Sequence, residues 1–94
     1  MTSRYGGADR ISTKAKLADQ LVVLGETLVR ARERAGLKQS SVAAALGVPP
    51  SYLSKIENGT RRLDVIELIH IAEAMRVDPA AIVSDLQKKL RSKK

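Results

Sequence analysis

The residues best suited to catalytic chemistry are few in this 94-residue chain. His70 is the single histidine and no cysteine occurs, so the sequence lacks the ligand set of a zinc site. Ser40 or Ser41 could pair with His70 as nucleophile and base, but no glycine-flanked nucleophile elbow surrounds either serine. No Walker-type glycine loop or dinucleotide fingerprint occurs either. We therefore expect no enzymatic activity, no metal and no cofactor.

The basic residues offer a different chemistry, the binding of phosphates. Seventeen Lys and Arg against ten Asp and Glu give a formal net charge of +7. Clustered cations of this kind bind polyanions by releasing condensed counterions. Most of the excess lies toward the two ends of the chain, where basic tails alone are weak support. Arg61 and Arg62 are adjacent, which suits phosphate clamping, although a solvated pair in a loop is the alternative.

Helices must position these residues, because no strand pattern occurs. Apolar residues at steps of three or four predict a first helix from Ser12, with Gly25 as a break point within it and Gly36 at its end. Glycines, prolines and a capping aspartate set the limits of the remaining helices. A second helix ends at Gly47, and a third runs from Pro50 to Asn58. A fourth follows Asp64, with Ile66, Ile69, Ala72 and Met75 facing inward, and a fifth begins at Pro79. We expect a flexible tail (1–12), one helical domain (13–90, core 24–83) and a basic tail (91–94).

The segment from Gln39 to Asn58 meets the demands of two helices crossing through a tight turn. Ala43 is small where the helices would cross, and Gly47 stands where the turn needs a positive φ. Apolar residues at consistent spacing face the core on both helices. All these features within twenty residues predict a helix-turn-helix.

Three stretches of the sequence resemble the lambda repressor-like proteins, the Cro/C1-type or XRE family. They are LGETLVRARERAGLKQ, SYLSKIENG and RRLDVIELIHIAEAMRVDP, the best-matched pieces of a resemblance that extends over residues 24–83. The resemblance implies an all-α, five-helix domain that binds double-stranded DNA as a transcriptional regulator, expected to be a repressor. In that family the third helix lies in the major groove, usually within a dimer on an inverted repeat.

The resemblance also assigns roles to individual residues. Gln39 matches a glutamine that binds a phosphate, with an exposed cap residue as the alternative. Pro50, Ser51 and Lys55 fall at base-reading positions, where a lysine can donate to guanine but a proline offers only apolar contact. The remaining candidates are expected to meet phosphates or base edges, or else to be solvated or packed: Tyr52, Ser54, Asn58, Thr60, Arg61 and Arg62.

Two further expectations concern structure rather than recognition. Arg32 and Glu57 match a pair that family members join as a salt bridge, against the alternative of two independent surface charges. Arg76 stands where the family commonly ends its fourth helix with glycine, so a mildly strained left-handed arginine is expected there.

The partners predicted are DNA and a second copy of the chain. The apolar stripe Ile82, Val83, Leu86 and Leu90 is long for one small bundle, so part of it is expected to contact a second subunit; closing the core is the alternative. An antitoxin-like module that binds a partner protein such as a toxin is the second hypothesis. No apolar stretch reaches the roughly 20 residues of a membrane span, and no signal layout is visible. We therefore expect no membrane association and a cytoplasmic, nucleoid-associated protein.

Overall fold

Five helices make up the described part of the chain. The structure is a computed structural model that describes residues 10–92, with side chains from residue 16 onward. α1 spans Arg10–Arg34, α2 Gln39–Leu46, α3 Pro50–Glu57, α4 Val65–Ala74 and α5 Pro79–Ser92. No strand occurs within residues 10–92, and the all-α, five-helix prediction is confirmed.

The helix limits differ from the predicted ones near both ends of the chain. Residues 10–12 belong to α1, so the predicted tail of residues 1–12 is too long, and residues 1–9 lie outside the described part. α5 continues to Ser92 through half of the predicted tail at 91–94, and residues 93–94 are outside it too. Gly25 does not interrupt α1, which is one continuous helix.

The turn between α2 and α3 has the conformation that the sequence predicts. Gly47 has a φ of 71°, in the left-handed region that glycine adopts without a steric penalty. The Val48 amide donates to the Ala43 carbonyl at 3.1 Å and closes the end of α2. Pro49 is extended and Pro50 occupies the first turn of α3, where its missing N–H is not needed. The three residues 47–49 are thus enough to set α3 against α2.

One aliphatic core joins all five helices. Its buried members are Leu28 from α1, Val42 from α2, Leu53 and Ile56 from α3, Leu68, Ile71 and Ala72 from α4, Met75 just beyond α4, and Ile82 from α5. The inward position predicted for Ile66 is wrong, since this side chain is 62% exposed. Two residues turn an α-helix by about 200°, so the burial of Leu68 places Ile66 on the opposite side.

The link between α4 and α5 contains the left-handed arginine that the sequence predicts. Arg76 has a φ of 60°, and it is the one non-glycine residue with positive φ in the described chain. Its amide donates to the Glu73 carbonyl, and the Val77 amide donates to the Ala72 carbonyl. These hydrogen bonds satisfy the end of α4 and offset a strain of about 1–2 kcal/mol.

Candidate nucleic-acid interface

The position of α3 depends on a close approach to α1 at Gly25. A Cβ atom on Gly25 would lie 2.8 Å from the carbonyl carbon of Glu57 and 2.9 Å from the Ile56 oxygen. Both neighbours are backbone atoms, which no change of side-chain rotamer can move. The absence of a side chain at Gly25 therefore lets the C-terminal end of α3 rest directly on α1.

A buried ion pair fixes the same end of α3. Arg32 donates from Nε to Glu57 Oε2 at 2.8 Å and from Nη2 to Oε1 at 3.2 Å. Its Nη1 also donates to the Leu37 carbonyl at 2.9 Å, and Gln39 Nε2 donates to Glu57 Oε1 at 2.6 Å. The Glu57 side chain is only 3% exposed. The carboxylate thus ties together the end of α1, the start of α2 and the end of α3.

The outer face of α3 is free of the core. Pro50, Ser51 and Lys55 are exposed and Ser54 is half-buried, whereas Leu53 and Ile56 on the opposite face are buried. Ser51 and Lys55 are four residues apart, so they lie one above the other on the helix. This face presents one hydroxyl and one ammonium group side by side, next to the apolar ring of Pro50.

The loop after α3 lies beside this face. Asn58, Thr60 and Arg62 are exposed and Arg61 is half-buried. Both the amide and the hydroxyl of Thr60 donate to the Lys55 carbonyl, at 3.0 and 3.1 Å. These hydrogen bonds fold the loop back onto the end of α3, so the loop at Thr60 adjoins α3 at Lys55, and the two together make the candidate surface.

Tyr52, Arg61 and Glu67 form a cluster at the edge of this surface. The Tyr52 hydroxyl donates to Glu67 Oε2 at 2.8 Å, and Arg61 Nη2 lies 3.0 Å from the same oxygen. The Arg61 guanidinium carbon stands 4.5 Å from the centre of the Tyr52 ring, within the range of a cation–π interaction. Arg61 Nη1 also donates to the Arg62 carbonyl. The guanidinium is therefore held from three sides.

The electrostatics of the cluster follow from these contacts. The hydrogen bond from the Asp64 amide, followed by those from Arg61 and Tyr52, lowers the pKa of Glu67 from 4.5 to about 2. Burial and then the hydrogen bond to Glu67 raise the pKa of Tyr52 above 10.0. The hydrogen bond to Glu67 raises the pKa of Arg61. At neutral pH the cluster holds a carboxylate, a guanidinium and a protonated phenol.

The structure places the predicted site residues on α3, on the loop after it and at the start of α2. In the loop, Thr60 contacts the Lys55 carbonyl and Arg61 contacts the Tyr52 ring. Gln39 donates to Glu57 at the C-terminal end of α3.

Glu67 was not among the residues predicted for the site, and the orientation of Tyr52 was left open. The sequence carried one signal for Glu67, since Asp64-x-x-Glu67 has the spacing of a capping box. Both hydrogen bonds of that box are present, at 2.7 and 3.0 Å.

The apolar stripe of α5 divides between the core and the surface. Ile82 is 2% exposed and belongs to the core, which corrects its place in the predicted contact with a second subunit. Val83 is 49% exposed, and Leu86 and Leu90 are half-buried. Consecutive helical residues point about 100° apart, so Val83 turns outward where Ile82 turns inward.

Two other classes of site find no support in the described residues. Within residues 10–92, no group of three or more His, Asp or Glu side chains is arranged to hold a metal ion. None of the five helices is both long and apolar enough to cross a membrane.

Comparison with known proteins gives a consistent result. A family model described as Helix-turn-helix matches residues 28–82. The uncharacterized HTH-type transcriptional regulator y4dJ of Sinorhizobium fredii is 35% identical over 66 residues, which are 70% of this chain and 86% of that protein. An XRE-family like protein from Pseudomonas syringae pv. tomato superposes with a TM-score of 0.73 at 40% identity, covering 83% of this chain and 95% of its own. The restriction-modification controller C.AhdI of Aeromonas hydrophila gives a TM-score of 0.62 at 29% identity, covering 66% and 94%.

Proposed function

We propose that this protein acts by placing α3 in the DNA major groove, because the chain belongs to the XRE family of helix-turn-helix transcriptional regulators. The observation that supports this role is the outer face of α3, with Ser51 and Lys55 exposed beside a cationic loop. With its side chains, an α-helix such as α3 is about 10–12 Å in diameter, which fits the roughly 12 Å width of the major groove. In this proposal the protein acts by binding DNA and catalyses no reaction.

Base recognition falls to three side chains in this proposal. Lys55 donates to O6 and N7 of guanine, and Ser51 reaches a base edge one turn earlier on α3. Pro50 makes only apolar contact, such as with a thymine methyl group. Positions facing Pro50 are then selected by the local shape and deformability of the duplex rather than by hydrogen bonds.

Phosphate contacts set the register of the protein on DNA. One Gln39 N–H is already donated to Glu57, and its second hydrogen remains for a phosphate. Asn58, Thr60, Arg61 and Arg62 approach the backbone on the other side of α3. Such contacts carry most of the affinity and little of the sequence preference.

A two-fold dimer completes the proposed mechanism. Two copies of α3 would enter successive major grooves about 34 Å apart, which requires an operator with inverted half-sites. Val83 on α5 is the exposed apolar candidate for the dimer contact. The matched relatives are named as transcriptional regulators and a restriction-modification controller, which favours this role over the antitoxin hypothesis.

The test begins with fragmented DNA of the source genome, incubated with the protein near physiological salt and sequenced after retention. We expect enrichment of a few fragments that share an inverted repeat. Uniform retention, or none, would contradict a sequence-specific regulator.

Two variants then separate the roles of single residues on the enriched repeat and on a shuffled duplex. Lys55→Ala should lose about 1–3 kcal/mol of discrimination between the two. Arg61→Ala should weaken binding to both alike and make the salt dependence shallower. Lys88→Ala is the control for charge, because it also removes one lysine, at an exposed position on α5 rather than on α3. Equal behaviour of the Lys55 and Arg61 variants on both duplexes would refute this division of roles.

A further inference from the structure

Glu67 occupies a place that suits an external anion. Its Oε2 atom accepts a hydrogen bond from the Tyr52 hydroxyl at 2.8 Å and forms an ion pair with Arg61 Nη2 at 3.0 Å. One donor is neutral, the other is charged, and the two converge on one oxygen. Proteins bind phosphate oxygens with donors of these two kinds, hydroxyl groups and guanidinium groups. Both donors lie at the edge of the proposed DNA surface, between α3 and the loop that follows it.

We propose that Glu67 sets the affinity for DNA by occupying, in the free protein, the anion site that Tyr52 and Arg61 offer to a phosphate. This inference rests on the proposed function and deepens it. A hydroxyl has a single hydrogen to donate, so Tyr52 cannot serve Glu67 and a phosphate at once. Binding of a phosphate at this point therefore requires Glu67 to give up at least one of its two partners.

Glu67 and a phosphate compete directly for these donors because both are anions. Glu67 is ionised at neutral pH, because its pKa is lowered to about 2 by the hydrogen bonds that it accepts. Its negative charge cancels that of Arg61 and repels an approaching phosphate. Arg61 can nonetheless contact a phosphate. A guanidinium has five N–H donors, and the described contacts with Glu67 and Arg62 engage two of them.

The capping box allows the anion to be removed without removing the helix cap. Oε1 of Glu67 accepts from the Asp64 amide at 3.0 Å, while Oε2 faces Tyr52 and Arg61. Glutamine has one carbonyl oxygen, which the Asp64 amide retains, and glutamine is a normal member of a capping box. Its NH₂ group would then face Tyr52 and Arg61 and cannot accept from either. Glu67→Gln should leave α4 intact and release both donors.

The experiment measures binding of the full-length protein to a random-sequence duplex across a series of salt concentrations. Glu67→Gln should bind about two- to fivefold more tightly than the wild type, the range expected for one exposed ion pair. The slope of log affinity against log salt should steepen by up to about 0.9, equivalent to one additional phosphate contact. Glu73→Gln is the control, since Glu73 is exposed on the same helix and its substitution changes the net charge equally.

A combined variant identifies the groups responsible. In a background that carries both Tyr52→Phe and Arg61→Ala, which removes the two donors, Glu67→Gln should gain no more affinity than the Glu73→Gln control. A Glu67→Gln protein that binds no more tightly than the control, or a gain that persists without both donors, would overturn the proposal. Because the probe has a random sequence, this result is separate from that of the genomic selection, which tests sequence-specific regulation.

Discussion

Gly25→Ala is the substitution for which the structure gives the clearest magnitude. The added Cβ would lie 2.8 Å from the Glu57 carbonyl carbon, about 0.6 Å inside the 3.4 Å at which ordinary contact begins. The Ile56 oxygen is almost as close, at 2.9 Å. Because all the obstructing atoms belong to the backbone of α3, relief requires α1 and α3 to move apart and the core between them to open.

Two effects of opposite sign decide the outcome. Replacing an interior helical glycine by alanine stabilises a helix by about 1 kcal/mol. Overpacking a tight contact costs about 1–3 kcal/mol, and a contact with rigid backbone belongs at the upper end of that range. We expect a net loss of about 2 kcal/mol in the free energy of unfolding. For a domain of this size, that loss lowers Tm by about 8–16 °C.

Thermal and urea unfolding followed by circular dichroism would measure the loss. Glu26→Ala and Glu26→Gly form the matched control, because Glu26 is the exposed neighbour of Gly25 on α1. The difference between those two variants gives the glycine penalty at this point of the helix without any contact to α3. A Gly25→Ala protein with an unchanged or higher Tm would refute the close approach of α1 and α3.

Three further predictions follow from other contacts. Arg32→Ala should lower the free energy of unfolding by about 3–5 kcal/mol in urea titrations, because the buried Glu57 carboxylate loses its cation; a loss below about 1 kcal/mol would contradict the burial of the pair. Because the pKa of Glu67 is lowered from 4.5 to about 2, the unfolded chain binds more protons between these values, and the stability that Glu67 adds above pH 4.5 is lost as the pH falls toward 2. Glu67→Gln should flatten this dependence in urea titrations at each pH, and an equally steep profile would exclude Glu67 as the cause. Val83→Asp should leave the fold intact and weaken self-association roughly tenfold in sedimentation measurements, whereas an unchanged equilibrium would remove Val83 from the dimer contact.

The order of the helices, and their limits between α2 and α4, could be predicted because their signals are local. Gly47, Pro50 and the Asp64 cap act through the backbone of their own turns, within about four residues. The strained conformation of Arg76 was predicted from the family resemblance, because it stands where family members commonly end the fourth helix with glycine. The outward face of α3 was predictable because Leu53 and Ile56 fix the opposite face.

Tertiary structure alone decided the features that depend on which surfaces meet. The sequence predicted Gly25 as a break point within α1, but in the folded chain the absence of a side chain at Gly25 lets the backbone of α3 pack against α1. The capping box signalled a local role for Glu67, while its contacts with Tyr52 and Arg61, 15 and six residues away along the chain, exist only once α3 and α4 are packed. The sequence by itself determined the helix-turn-helix and the side chains that it exposes, because these depend on periodicity and turn chemistry. Which of those side chains are already engaged was decided by tertiary packing, because a hydrogen bond between distant residues depends on the placement of both helices.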